Sequence, residues 1–172
     1  MSLTMPRQVA AAGRRVHHAH ANGAPRPLGG YLALMGGYAV AVGALLGVAR
    51  LTGCRLPATV PVGDVALLSA ATFRISRLVT KDSVTSPLRA PVTRFTGAAG
   101  AGEVNEEPRG ENGLSHAAGE LASCPFCASV WTATGLTAGM AFAPRLTRWV
   151  AATATAVAAA GFLQFAYARA RE

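Results

Sequence analysis

Three long runs without a charged residue constrain this chain more than any other feature. They begin at Tyr31, Phe126 and Trp149, and each continues for 18 or 19 residues. An α-helix rises about 1.5 Å per residue, so runs of this length approach the ~30 Å hydrocarbon core of a bilayer. The pattern predicts transmembrane helices over residues 28–49, about 126–143 and about 148–168.

The composition fits helices that pack closely in lipid. Only 14% of the residues are charged, against about 25% in ordinary soluble domains. Hydrophobic residues make up 51% of the chain, and small residues supply much of the apolar character. The net charge of +8 comes from arginines that mostly flank the apolar runs. It therefore indicates the lipid bilayer as the partner and no nucleic acid.

A fourth segment, about residues 63–80, leaves two alternatives open. It is free of charge only from Val65 to Phe73, about 13 Å of helix, which is too short to cross a bilayer. It approaches the necessary length if Arg74 and Arg77 extend their aliphatic stems toward the headgroups. Otherwise it is an interfacial helix that lies in the plane of the membrane.

The distribution of Lys and Arg favours four spans. Four spans place residues 1–27, the segment 80–122 and the C-terminal arginines Arg169 and Arg171 on one side. The positive-inside rule assigns that side to the cytoplasm, whereas three spans would export the segment from Arg74 to Arg109. The expected fold is an all-α membrane protein with about four transmembrane helices and a long cytoplasmic loop. The expected location is the bacterial cytoplasmic membrane, with both termini in the cytoplasm.

Two segments outside the spans have no sustained apolar periodicity. Residues 1–27 are rich in Arg, His, Ala and Pro and are expected to be a disordered basic tail. Their pair Arg14-Arg15 and the cluster of His17, His18 and His20 are typical of an ordinary solvated tail, although such histidines bind metals weakly. Residues 82–113 are rich in Pro and Gly and mixed in charge, which predicts a loop.

The sharpest local motif is Cys124-Pro-Phe-Cys127, just before the third apolar run. A Cys-x-x-Cys pair at a helix N-terminus is typical of thiol oxidoreductases, because the free N–H groups stabilise a thiolate. The pair supplies only two of the four ligands of a structural zinc site, which His116 and Glu120 or a homodimer would have to complete. Structural cysteines, redox chemistry and metal binding all remain open, and no cofactor is expected unless zinc binds. Cys54 stands alone, on the opposite side of the predicted membrane.

The charged residues near the second span form another candidate site. Asp82 and Glu120 are expected to pair with Arg74 and Arg77, because charges near lipid are costly without partners. The alternative is a pocket for an anionic ligand at the membrane surface. The chain contains no phosphate-binding glycine loop, no metalloprotease helix motif and no nucleophile elbow.

Small residues recur at four-residue spacing in two of the apolar runs. This spacing creates flat helix faces that favour close helix packing, and with it homo-oligomers. The residues concerned are Ala39, Gly43 and Gly47 in the first run, and Gly135 and Gly139 in the third.

The region from Val62 to Tyr167 resembles the bacterial family known as domain of unknown function 1360. The resemblance rests on Arg-x-x-Arg, a following Lys-Asp, the turn Pro-Leu-Arg-x-Pro and the motif Cys-Pro-Phe-Cys-x-x-x-Trp. It implies a small bacterial multi-pass membrane protein, in a family that includes a sporulation protein. The positions that match the family pattern are Arg74, Arg77, Asp82, Pro87, Arg89, Cys124, Cys127 and Trp131.

Taken together, these patterns predict a multi-pass membrane protein that is not an enzyme. Its cytoplasmic loop is expected to interact with a partner or with the membrane surface. The alternative is a thiol–disulfide or metal-handling membrane protein that uses the Cys-x-x-Cys pair.

Overall fold

A computed structural model of the protein describes residues 27–54, 58–110 and 113–171, together with Gly13, Arg15, Ala19 and His20. Most of the segment 1–27, including His17 and His18, lies outside the described residues. The disorder of this tail and its weak metal binding therefore stay predictions.

The described chain is mostly helical, with one small sheet between the second and third long helices. Prolines stand in the first turns of two of the long helices, where a missing N–H removes no helix hydrogen bond. In chain order the elements are α1 Leu28–Leu51, α2 Val62–Thr80, a 3₁₀ helix Ser83–Thr85, α3 Ser86–Arg89, β1 Thr93–Gly100, β2 Glu103–Pro108, α4 Gly113–Ser123, α5 Pro125–Phe142 and α6 Pro144–Arg169.

Helices α1 and α5 run in the same direction. Midway along α1, the Tyr38 ring packs edge-on against Trp131 of α5, with ring centroids 5.1 Å apart. Just beyond the end of α1, the Cys54 thiol donates a hydrogen bond to the Ala141 carbonyl near the end of α5, at 3.3 Å. Only Ala143 separates α5 from α6, so α6 turns back against α5.

Helix α2 runs alongside α6. Asp64 near the start of α2 forms a two-pronged ion pair with Arg148 near the start of α6, at 3.0 and 2.8 Å. Further along, Phe73 stacks on Phe162 with ring centroids 5.9 Å apart. The four long helices thus alternate in direction along the chain. The start of α1, the connection between α2 and α5, and the end of α6 lie together at one end of the bundle, which we call the hairpin end.

Few large side chains are fully buried inside the bundle. Ala71, Leu136 and Ala151 form the buried apolar cluster, with Leu67, Leu68 and Ile75 partly buried against it, and many other large apolar side chains point outward. Soluble monomers rarely expose apolar surface on this scale. Exposed large apolar side chains of the long helices include Leu32, Met35, Val40, Leu46, Val62, Val65, Leu146, Val150, Val157, Phe162, Leu163 and Phe165.

Two of the long helices in the described chain, α1 and α6, are long and apolar enough to cross a membrane. Helix α2 contains Asp64, Arg74 and Arg77, and α5 is long enough and uncharged but falls short in mean hydropathy. Length and composition therefore support two membrane-crossing helices, fewer than the four that the sequence predicts.

The all-α prediction is wrong between residues 82 and 113, which do not form a plain loop. Strands β1 and β2 pair there as an antiparallel hairpin, with Thr93 opposite Pro108 at its base and Gly100 opposite Glu103 at its tip. Gly100 and Gly102 have φ angles of 134° and 78°. Glycine adopts such angles without the steric cost that a Cβ brings, so the glycines that predict a loop here build the tight turn of a hairpin.

Candidate functional site

A buried arginine organises the segment between α2 and α4, residues 81–110, which we call the hairpin module. The side chain of Arg89, at the end of α3, is 2% exposed. Its Nε and Nη2 atoms donate to the two carboxylate oxygens of Glu106 on β2, at 2.7 and 3.0 Å. Further hydrogen bonds reach the Val79 and Asp82 carbonyls and the Thr85 and Ser86 hydroxyls.

The Glu106 carboxylate accepts hydrogen bonds from other residues besides Arg89. Its carboxylate is 4% exposed and accepts hydrogen bonds from the hydroxyls of Ser86, at 2.7 Å, and Thr93, at 2.9 Å. Burial raises the pKa of Glu106, but the hydrogen bonds from Arg89, Ser86 and Thr93 and the charge of Arg89 outweigh it. The pKa is therefore held below the ordinary value of 4.5. A buried ion pair whose polar atoms are all satisfied fixes its surroundings in one arrangement.

Two more ion pairs fasten the module to the last turns of α2. Arg74 donates to both oxygens of Asp82, as expected from the sequence. Arg77 donates to both oxygens of Glu103 at the start of β2, with its Nε at 2.9 Å. Two-pronged arginine–carboxylate pairs fix orientation as well as distance. The hairpin is therefore held against the end of α2 in a defined orientation.

The expected pairing of Glu120 with an arginine of α2 is wrong. Glu120 lies on α4 and accepts a hydrogen bond from the Tyr31 hydroxyl of α1, at 2.5 Å. His116 Nε2 lies 3.4 Å from the other Glu120 oxygen, and His116 Nδ1 lies 2.7 Å from the Gly110 carbonyl oxygen. Glu120 therefore joins α4 to the first turn of α1. The alternative, a pocket for an anionic ligand, would need free cations. The guanidinium groups of Arg74 and Arg77 are instead paired with carboxylates of the chain.

The two cysteines of the Cys-x-x-Cys motif lie at the hairpin end, where α5 begins. Cys124 is the N-cap of α5, and its sulfur accepts a hydrogen bond from the Cys127 backbone N–H at 3.3 Å. Cys127 is exposed and Cys124 partly so, and neither is in a disulfide. Cys54 lies at the opposite end of the bundle.

The geometry of the described residues does not assemble a metal site. Within those parts of the chain, no three His, Cys, Asp or Glu side chains are grouped closely enough to hold an ion. His116 faces Gly110 and Glu120 and does not join Cys124 and Cys127. Of the four residues considered as zinc ligands, the structure places Cys124 beside Cys127 and His116 beside Glu120.

Trp131 packs within the bundle, whereas most glycines of the small-residue faces on α1 and α5 have no close neighbour. Trp131 packs on Tyr38, and the Tyr38 hydroxyl lies 2.7 Å from the Thr134 hydroxyl. Gly139 packs closely on Thr147 where α5 meets α6, so this glycine serves contacts within the chain. The other glycines of these faces meet open space, because a methyl group added to any of them would have no neighbouring atom within 4 Å; they are Gly43, Gly47 and Gly135.

The hairpin module carries exposed apolar side chains of its own. Val84, Leu88 and Phe95 are 78%, 79% and 66% exposed. They belong to the 3₁₀ helix, to α3 and to β1, which the ion pairs of Arg89 and Arg77 hold in place. Exposed apolar side chains mark an interaction site when they form one contiguous patch.

The carboxylates that complete this site, Glu103 and Glu106, were not singled out from the sequence. Their partners lie 26 and 17 residues away in the chain, a separation that helix periodicity does not register. The available signal was the alternation of Thr-Arg-Phe-Thr and Glu-Val-Asn-Glu around the glycines of residues 97–102, which is typical of a hairpin.

Comparison with known proteins identifies a family and no activity. Residues 67–167, more than half of the chain, match the family described as "Protein of unknown function (DUF1360)". This confirms the resemblance inferred from the sequence motifs. No curated protein and no solved structure matches the chain. The matched region begins within α2 and includes the hairpin module, the cysteine pair and most of α6.

Proposed function

The chain belongs to the DUF1360 family of proteins of unknown function, and on this premise we propose a non-enzymatic role in the bacterial cytoplasmic membrane. In this proposal all four long helices cross the bilayer, and the hairpin module is a rigid cytoplasmic platform that docks a partner protein. The observation that carries the proposal is the distribution of side chains, with large apolar groups facing outward on the long helices and ion pairs gathered at the ends.

The ion pairs explain how α2 can cross a membrane despite its charges. Each charged residue of α2 has an opposite charge in contact: Asp64 with Arg148, Arg74 with Asp82 and Arg77 with Glu103. A charge near lipid costs much less when it is paired. The pairs with Asp82 and Glu103 also place the guanidinium groups beside the hairpin module, at the level expected for the headgroups.

The alternating helix directions support the orientation. Among the residues that the structure describes, the hairpin end holds the hairpin module and the end of α6, with most of the described Lys and Arg residues. The opposite end holds the short connections, with Arg50, Arg145 and Arg148. By the positive-inside rule the hairpin end faces the cytoplasm.

The platform role is supported by rigidity combined with exposure. The ion pairs of Arg74 and Arg77 hold the module on α2, and the pair of Arg89 with Glu106 joins α3 to β2 within it, so a partner meets a surface that is already ordered. Binding to an ordered surface avoids the entropy cost of fixing a mobile loop. Leu88 and Phe95 also expose apolar side chains, and the burial of apolar surface by a partner is favourable.

Topology is tested by cysteine labelling with a membrane-impermeant maleimide. In a background with Cys54, Cys124 and Cys127 replaced by serine, one variant carries Ala98→Cys in β1 and a matched variant carries Val60→Cys between α1 and α2. We expect Val60→Cys to be labelled in cells with an intact inner membrane, and Ala98→Cys only after that membrane is permeabilised. Labelling of both positions in intact cells would refute the four-span arrangement.

Docking is tested with a photo-crosslinking amino acid placed at Leu88 in living cells. The matched control carries the same amino acid at Asn105, an exposed polar position of the same module. We expect a defined protein adduct from position 88 and none from position 105. Adducts with lipid alone would assign the surface to the membrane instead of a protein, and equal adducts at both positions would contradict a specific docking surface.

A further inference from the structure

The two thiols at the start of α5 are arranged asymmetrically. The Cys124 sulfur lies over the first turn of α5 and accepts a hydrogen bond from the Cys127 backbone N–H at 3.3 Å. Unpaired N–H groups and the helix dipole stabilise a negative charge at a helix N-terminus. Cys127 instead lies inside the helix, three residues beyond the N-cap, and its own N–H is the group that bonds the Cys124 sulfur.

The two side chains of the pair are also close together and accessible. Cys124 is the N-cap residue, with an extended backbone outside the regular helix, and its sulfur lies 3.3 Å from the Cys127 backbone nitrogen. Cys127 is exposed and Cys124 is half-buried, so a small reagent can approach either sulfur. The platform role proposed above makes no use of these two thiols.

We propose that Cys124 and Cys127 form a reversible intrachain disulfide by exchange with a low-molecular-weight disulfide, with Cys124 as the attacking thiolate and Cys127 as the resolving thiol. The substrate class is a small disulfide RS–SR of the glutathione type. The inference rests on the sulfur pair and stands whether or not the hairpin module docks a partner.

The exchange takes two steps. Cys124 loses its proton to solvent and its thiolate attacks one sulfur of RS–SR, so that a mixed disulfide forms, the S–S bond of the reagent breaks, and RS⁻ leaves to be protonated as RSH. Cys127 then loses its proton and attacks the Cys124 sulfur, which forms the intrachain bond and releases the second RSH. The protein dithiol gives up two electrons, and the reagent is reduced to two thiols.

The position of the pair determines how long the disulfide lasts. The thiols lie at the hairpin end, which the proposed topology places on the cytoplasmic side, where disulfides are transient because thiols are kept reduced. Cys54, at the opposite end and bonded to the Ala141 carbonyl, is an internal control that lacks a second sulfur beside it.

The test uses the full-length chain in lipid nanodiscs, reduced and then exposed to oxidised glutathione at neutral pH, quenched with acid and alkylated. Peptide mass spectrometry is expected to show Cys124 and Cys127 disappearing together from the alkylated pool while Cys54 stays alkylated. Cys54→Ser should behave like the natural chain. A chain in which all three cysteines remain alkylated under these conditions overturns the proposal.

The roles of the two sulfurs are separated by single substitutions. Cys127→Ser should accumulate a glutathione adduct on Cys124, whereas Cys124→Ser should form an adduct on Cys127 at least about ten-fold more slowly, because its thiol lacks the helix N-terminus. Circular dichroism of each variant verifies that the helices are retained. Equal rates in the two folded variants would overturn the assignment of Cys124 as the attacking thiolate.

Discussion

The Arg89 guanidinium contacts five other residues of the chain, and its loss should therefore destabilise the hairpin module as a whole. Arg89→Met leaves the Glu106 carboxylate buried without its counter-charge. Removal of one partner from a buried pair typically costs about 3–5 kcal/mol. Hydrogen exchange in nanodiscs should show faster exchange across β1 and β2. The control Arg94→Met removes an exposed pair with Glu107, at 3.5 Å, and should change stability by less than about 1 kcal/mol. Equal effects of the two variants would contradict the central role of Arg89.

The depressed pKa of Glu106 predicts a loss of stability in acid. Its pKa in the folded chain lies below the ordinary value of 4.5, so the unfolded chain takes up this proton first as the pH falls. The stabilisation is fully present above the ordinary pKa and is lost as the pH falls through the lower, folded value. Thermal unfolding from pH 7 to pH 3 should show this decline, and Glu106→Gln should reduce its slope. If Glu107→Gln, at an exposed position, reduced the slope as much, the decline would not belong to Glu106.

Helix α4 joins the hairpin to α1 through close backbone contacts, one of which depends on a glycine. A methyl group at Gly119 would stand 2.6 Å from the Val92 carbonyl oxygen and 2.8 Å from Pro108. Gly119→Ala should therefore lower stability by about 1–3 kcal/mol, because the hairpin must move away from α4. The matched control Gly135→Ala meets no atom within 4 Å and should be neutral or stabilising by up to about 1 kcal/mol, as is usual inside a helix. Thermal unfolding in the same detergent compares the two.

The elements differ in how far the sequence predicts them. Long charge-free runs predict the long helices, because charged side chains are excluded wherever a helix surface contacts other apolar groups along its whole length. The pair of Arg74 and Asp82 is also predictable, since the two residues lie eight positions apart across a helix end. The register of the hairpin is not predictable in this way, because it depends on the pairing of Glu106 with Arg89 and of Glu103 with Arg77. Those are long-range contacts that leave no periodic trace, and the glycines between the strands are as typical of a loop as of a tight turn.

The proposed location in a bilayer accounts for the apolar outer surface of the whole molecule. The buried cluster consists of Ala71, Leu136 and Ala151, whereas the outer faces of α1 and α6 display Leu, Val and Phe. In water such a bundle would have little hydrophobic burial to offset the entropy of folding. In lipid the same faces need no cover, and small interior residues let the helices approach closely.

A location in lipid and a location in water predict different costs for the substitution of an exposed apolar residue by arginine. Val40, in α1, is 73% exposed, and Val157, in α6, is 47% exposed. In a water-soluble protein, arginine at such positions would change stability by about 0.5 kcal/mol or less. At the centre of a membrane span the same change costs about 2.5–3.5 kcal/mol. Val40→Arg and Val157→Arg should therefore reduce the fraction of chains that resist alkaline extraction from membranes.

A position near the end of a span supplies the control for this prediction. Leu146 is 66% exposed at the start of α6, where an arginine can reach the headgroups along its aliphatic stem. Leu146→Arg should therefore leave the extraction-resistant fraction close to that of the natural chain. Recovery of Val40→Arg as a folded, water-soluble monomer would show instead that the outward apolar faces meet water, and the membrane-spanning arrangement would have to be abandoned.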